Sequence, residues 1–171
     1  MNYRDGAAML RVDQAGEYGA TRIYAGQLAV MGSRAPDAAE IGDMARQEAD
    51  HLARFDALIA RRRVRPTALQ PLWHVAGYAL GAASALIGPK AAMACTAAIE
   101  EEIDRHYTAQ LGELGDSDPE LGALIGEFRE DERAHRQAAL DAGAEQAPLY
   151  PLFSGAIRLG CRLAIRLSEK I

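Results

Sequence analysis

The 171-residue sequence holds only two cysteines, Cys95 and Cys161, each in an apolar run with no second cysteine near it along the chain. A disulfide framework and a cysteine-built zinc or iron–sulfur site are excluded, and packing is the default role of both. Aromatic residues are scarce too, at 6%. Ala alone supplies 35 residues, so the interior has to come from closely approaching helices rather than aromatic slabs. No stretch alternates apolar and polar residues as a half-buried strand does. The first ten residues lack the basic flank and apolar core of a secretory signal and the Arg- and Ser-rich bias of a transit peptide, so a reducing interior compartment is expected. A net charge of −5 argues against a nucleic-acid partner.

With 49% apolar and 25% charged residues, the chain has the balance of a globular fold long enough to bury a real core. Its cations are segregated: Arg61, Arg62, Arg63 and Arg65 form one cluster, and Arg158, Arg162, Arg166 and Lys170 recur at four-residue spacing near the C-terminus. Breaker residues predict six helical segments. The first runs from about Arg4 to Val30 and stops near Gly32; Pro36, followed by Asp37 and Glu40, opens the second, which continues to the arginine cluster. Pro66 and Pro71 mark a connector, Leu72 to Ile87 a small apolar third segment, and Gly88-Pro89 the start of a fourth that lasts to Gly115. Asp118-Pro119 caps the fifth, which closes before Gly143, and Pro148 and Pro151 introduce a sixth ending at Lys170.

Four of these segments carry a core stripe interrupted by ionisable residues. The stripes read Leu10, Glu17, Tyr24, Leu28 in the first; Met44, Glu48, His51, Phe55 in the second; Thr96, Glu100, Ile103, Tyr107 in the fourth; and Phe128, Glu132, His135, Ala139 in the fifth. An internal repeat follows: Glu17, Glu48 and His51 recur as Glu100, Glu132 and His135 at offsets of 83, 84 and 84. Tyr24 and Tyr107 each lie seven residues after the first Glu of their half. The alignment selects Glu100 from the run Glu100-Glu101-Glu102 and leaves the other two solvated.

A single Glu-x-x-His is weak evidence. Two of them on core faces, each preceded by another core Glu, supply the set that a four-helix bundle uses for a dinuclear carboxylate site. A metal-free buried network would have to keep four like-charged carboxylates together with no Lys or Arg on their stripes, at several kcal/mol of desolvation per ion. One imidazole per ion in a carboxylate-rich set suits iron or manganese, whereas structural zinc prefers thiolates. By the repeat, Glu17 and His51 serve one ion, Glu100 and His135 the other, and Glu48 and Glu132 bridge. Asp131 is placed to accept the second N–H of His51, or else is a solvated helix residue. The small residues Ala15, Gly16, Gly19 and Ala20 beside Glu17, and Ala97 and Ala98 beside Glu100, either leave room for a flat ring or pack helices tightly.

Residues Pro66 to Pro89 carry no formal charge, and Leu72 to Pro89 is at the lower edge of a spanning length. A crossing there would separate Glu17, Glu48 and His51 from Glu100, Glu132 and His135 across the bilayer, so the segment reads as a helix lying in an interface or capping the bundle. The sixth segment opposes its cations to an apolar stripe of Phe153, Ile157, Cys161, Ala164 and Leu167. That pattern fits a helix resting on anionic lipid, or an ordinary amphipathic helix on the bundle.

The stretches Val12-Asp-Gln-Ala-Gly-Glu-Tyr-Gly-Ala20, Arg22-Ile-Tyr-Ala-Gly-Gln-Leu-Ala29, Gln47-Glu-Ala-Asp-His-Leu52, Arg63-Val-Arg-Pro-Thr67 and Met93-Ala-Cys-Thr96, with the Glu132/His135 pair, resemble the demethoxyubiquinone hydroxylase family from about Leu10 to the C-terminus. The resemblance implies an all-α, ferritin-like four-helix bundle with two additional helices, the apolar third and the basic sixth. It reads as one domain over 1–171 built from two pseudo-symmetric halves, about 4–65 and 89–143. It further implies two iron ions held by Glu17, Glu48, His51, Glu100, Glu132 and His135, with O2 as co-substrate and NADH as electron donor. The reaction implied is hydroxylation of a polyprenyl demethoxyubiquinol ring. His106 and Tyr107 match a His-Tyr pair associated in the family with electron or proton delivery; from the sequence alone His106 would be a surface histidine. Gln14 stands where many relatives have His, off the stripe. With 17 Arg against 2 Lys and no N-terminal extension of the mitochondrial kind, the chain is expected at the cytoplasmic side of a bacterial inner membrane, bound peripherally, with a further copy of itself or a lipid-binding accessory protein as partner. A ferritin-type iron oxidation or storage protein is the alternative, using the same six ligands.

Overall fold

The computed structural model describes residues 3–33, 35 and 37–171, with side chains from Gly6 onward. Among the described residues there are six α-helices and no strand: α1 (Tyr3–Met31), α2 (Ala38–Arg62), α3 (Gln70–Ile87), α4 (Pro89–Leu114), α5 (Pro119–Asp141) and α6 (Tyr150–Ser168), with a 3-10 turn at Ala144–Gln146. Pro71, Pro89, Pro119 and Pro151 each occupy a first turn, where the missing N–H is one the helix leaves unpaired anyway. The Asp118 carboxylate caps α5 by accepting from the Leu121 N–H at 3.1 Å. Gly143, at φ 87, turns the chain out of α5. The start signal read at Pro36 lies outside the described residues.

Helices α1, α2, α4 and α5 form the bundle, with an apolar cluster on either side of a polar layer. One cluster gathers Leu10, Phe55, Leu58, Tyr107, Leu121 and Phe128; the other gathers Tyr24, Ile41, Met44, Met93, Ala97 and Ala139. The ionisable stripe positions fall between them along every helix, which seals that layer from bulk water at both ends.

The two remaining helices cover one side of the bundle. Helix α3 lies on α1 backbone to backbone, because a Cβ at Gly81 would overlap the Ile23 carbonyl and one at Gly26 the Tyr78 carbonyl. Helix α6 packs on α4, where Ile157, Phe153 and Cys161 join Ile23, Cys95, Ala98 and Ile99. Trp73 Nε1 donates to Ser168 Oγ at 3.0 Å, tying the start of α3 to the end of α6. Both helices also leave large apolar side chains outward: Leu72, Val75 and Leu86 on α3 are 52%, 66% and 75% exposed, and Leu152, Leu159 and Leu163 on α6 are 71%, 56% and 51% exposed. No described helix is long and apolar enough to cross a membrane.

Charge placement differs from the sequence reading at Glu102 and Glu101. Glu102 is buried, not solvated, with Oε1 at 2.9 Å from Arg105 and Oε2 at 3.6 Å from Arg162. Glu101 is half-buried and pairs with Arg158 at 3.0 Å, so two cations of α6 are turned onto α4. Within the arginine cluster, Arg61 pairs with Glu120 and Arg62 with both Asp118 and Glu120, so these cations bridge α2 to α5.

Candidate metal centre

The polar layer brings all six stripe residues together. Glu17, Glu48, His51 and Glu132 each offer a ligand atom within 4.8 Å of the others, and so do Glu48, Glu100, Glu132 and His135. Glu48 and Glu132 belong to both quartets. Glu17, Glu48, Glu100 and Glu132 are at most 1% exposed, and His51 and His135 are 4% exposed.

Hydrogen bonding divides the carboxylates into two kinds. Tyr24 Oη donates to Glu100 Oε1 at 2.6 Å, and Tyr107 Oη donates to Glu17 Oε1. The second oxygens of Glu17 and Glu100, both oxygens of Glu48 and Glu132, and Nδ1 of His51 and His135 are buried without a hydrogen-bond partner. Terminal glutamates thus present one free oxygen and shared glutamates two. Buried polar atoms left unpaired are costly, and these converge on two points. The donor set therefore fits a pair of divalent cations, each with an imidazole, a terminal carboxylate and two shared carboxylates.

Each imidazole is oriented from behind. His51 Nε2 lies 3.1 Å from Asp131 Oδ2, and His135 Nε2 lies 2.8 Å from Gln47 Oε1. Both rings thereby aim Nδ1 at the carboxylates: His51 Nδ1 is 3.4 Å from Glu132 Oε1, and His135 Nδ1 is 3.1 Å from Glu48 Oε1. The His51 ring also stacks on Phe128 at 3.8 Å between centroids. Asp131 reaches His51 as its place before Glu132 suggests. Gln47 escaped the sequence reading, although it precedes Glu48 as Asp131 precedes Glu132.

Burial dominates the electrostatics. It raises the Glu48, Glu100 and Glu132 carboxyls, with neighbouring carboxylates adding to the effect, and pushes Glu48 and Glu100 well above the usual range. Burial acts to lower the pKa of His51, but its contacts with Glu132 and Glu17 override this and raise it to about 10. His135 is lowered, first by burial. Tyr24 and Tyr107 are raised well above the ordinary phenol value, again first by burial, and stay protonated donors.

Beside Tyr107, His106 is half-buried rather than a surface residue, its Nε2 3.1 Å from Oδ1 of the fully buried Asp13. Burial raises the Asp13 carboxyl, and its contact with His106 opposes this. Gln14 is also buried and donates to Asp56 Oδ1 at 3.0 Å. The sequence reading sets Gln14 off the α1 stripe, whereas Asp13, three residues after Leu10 and four before Glu17, shares the core face and escaped that reading.

Residues 4–168 match the family described as ubiquinone biosynthesis protein COQ7. The chain is 57% identical over 162 residues to the 3-demethoxyubiquinol 3-hydroxylase of Rhodospirillum rubrum, covering 95% of this chain and 76% of that one. It is 51% identical over 167 residues to the mitochondrial NADPH-dependent 3-demethoxyubiquinone 3-hydroxylase of Homo sapiens, with the same coverage. It is 40% identical over 179 residues to the mitochondrial 5-demethoxyubiquinone hydroxylase of Saccharomyces cerevisiae, covering 95% of this chain and 77% of that one. With a match over nearly its whole length and identities this high, the chain belongs to the COQ7 family of ubiquinone biosynthesis proteins.

Proposed function

We propose that this chain is a 3-demethoxyubiquinol 3-hydroxylase, an oxidoreductase that holds two iron ions and hydroxylates the ring of a polyprenyl demethoxyubiquinol. The observation that carries the reading is the convergence of unpaired carboxylate oxygens and imidazole Nδ1 atoms in a sealed layer. A ring C–H becomes C–OH with one atom of O2; the other leaves as water, taking two electrons and one proton from a reduced nicotinamide and a second proton from solvent. We assign that role to NADH, while the human relative's name specifies NADPH.

Glu17 and His51 would hold one iron, Glu100 and His135 the other, and Glu48 and Glu132 both. Bound ferrous iron supplies the activation of dioxygen. Tyr24 and Tyr107 keep Glu100 and Glu17 in one orientation, and the two apolar clusters exclude water. We assign a proton route to the half-buried His106, which shares a hydrogen bond with Asp13, and the adjacent Tyr107, whose hydroxyl donates to Glu17. The outward leucines of α3 and α6 suit a peripheral seat on the cytoplasmic face of a bacterial inner membrane, where the polyprenyl tail resides. An iron-storage bundle has no use for such faces.

Anaerobic loading with ferrous iron, followed by demethoxyubiquinol, NADH and isotopically heavy dioxygen, tests the reading. The expected product carries one heavy oxygen atom. Unchanged quinol together with progressive deposition of ferric iron would favour storage instead.

A further inference from the structure

The supports behind the two imidazoles are related by the repeat and yet differ chemically. Asp131, a carboxylate, backs His51 at 3.1 Å; Gln47, a neutral amide, backs His135 at 2.8 Å. The ligand sets are otherwise paired, with one terminal glutamate held by one tyrosine, two shared glutamates and one imidazole presenting Nδ1, and the one further difference is the stacking of His51 on Phe128. With Nδ1 turned to the centre, Nε2 carries the hydrogen and donates it backward. A carboxylate acceptor draws that hydrogen more strongly than an amide oxygen, so more electron density stays on Nδ1. Arg54, which feels the charge of Asp131, is engaged by Glu127 at 2.5 and 2.7 Å, so Asp131 is not its main partner.

We propose that the Asp131/Gln47 mismatch makes the two metal positions unequal, the position served by Glu17 and His51 being the tighter, so that the centre fills in a fixed order. The proposal rests on the metal centre assigned above. Outer supports of this kind change metal affinity by roughly 10- to 100-fold, which sets the expected gap between the positions.

Calorimetric titration of the metal-stripped full chain with Co(II), without oxygen, separates the two binding steps. Asp131→Asn and Gln47→Glu are isosteric and leave the six ligands in place. Asp131→Asn should weaken the first step about tenfold or more and leave the second within about twofold. Gln47→Glu should do the mirror image, strengthening the second step by a similar factor while the first stays within about twofold. A role for Gln47 in ring orientation alone predicts no gain from glutamate. If both variants move both steps alike, or Gln47→Glu weakens either step, the inequality is overturned and the metal centre stands. If the unaltered chain takes up no Co(II), both fall together.

Discussion

At the scale of single residues, the roles within the centre follow from which oxygens are already spoken for. Glu48 and Glu132 have both oxygens free, so Glu48→Ala or Glu132→Ala should remove metal from both positions and abolish turnover, checked by iron content and product mass. Tyr24→Phe strips one oxygen of Glu100 of its donor. The expected result is roughly tenfold weaker metal binding and a stability loss of about 1–3 kcal/mol, read from urea unfolding of the metal-free protein. The six converging side chains and Asp131 were legible in the sequence because they lie on helical stripes that recur between the halves. The tyrosines' seven-residue spacing was equally visible, but which glutamate each grips depends on how the helices cross. Glu102 was misread for a different reason: the N-terminal half of α4 is buried on nearly every side, and periodicity presumes that one side is wet.

At the scale of elements, glycines and caps set how closely helices approach and where they begin. Gly81→Ala drives a Cβ into the Ile23 carbonyl, forcing α3 off α1, and should lower stability by about 1–3 kcal/mol. Gly19→Ala has open space around it and should stabilise α1 by up to about 1 kcal/mol. Thermal melting of the metal-free variant checks the gain. Asp118→Ala loses both the α5 cap and the Arg62 partner, at about 1 kcal/mol. Because Asp118 is held below its ordinary 3.8, chiefly by Arg62, its contribution is present above that value and fades as the pH falls through the lowered one. Helix boundaries were readable from Pro, Gly and Asp. The facing of α6 was not, since its periodicity offers an apolar stripe, a cationic stripe and a row of leucines, and the apolar seat on α4 together with Glu101 and Glu102 decides among them.

For the molecule as a whole, the sealed acidic layer reverses the usual response to mild acid. Carboxyls with a raised folded pKa bind more protons folded than unfolded above their ordinary 4.5, and His51 does so between 6.5 and about 10. Each therefore stabilises the metal-free fold at lower pH and loses that contribution as the pH rises. His135, lowered by burial, opposes this below its ordinary 6.5. Thermal melting with a chelator present should show a midpoint that climbs as the pH drops from about 8 toward about 6. Divalent metal should raise the midpoint most at the alkaline end, where it replaces protons that have already left.

Every one of the four anchoring hydrogen bonds runs from one helix pair to the other: Tyr24 to Glu100, Tyr107 to Glu17, and the Gln47 and Asp131 contacts with His135 and His51. Neither hairpin can steady its own donors. Cut within the connector that follows α2, the polypeptide would yield two fragments that each leave cobalt with only its weak solution absorption, and the bands of the bound ion would return only on mixing, making the metal a reporter of reassembly.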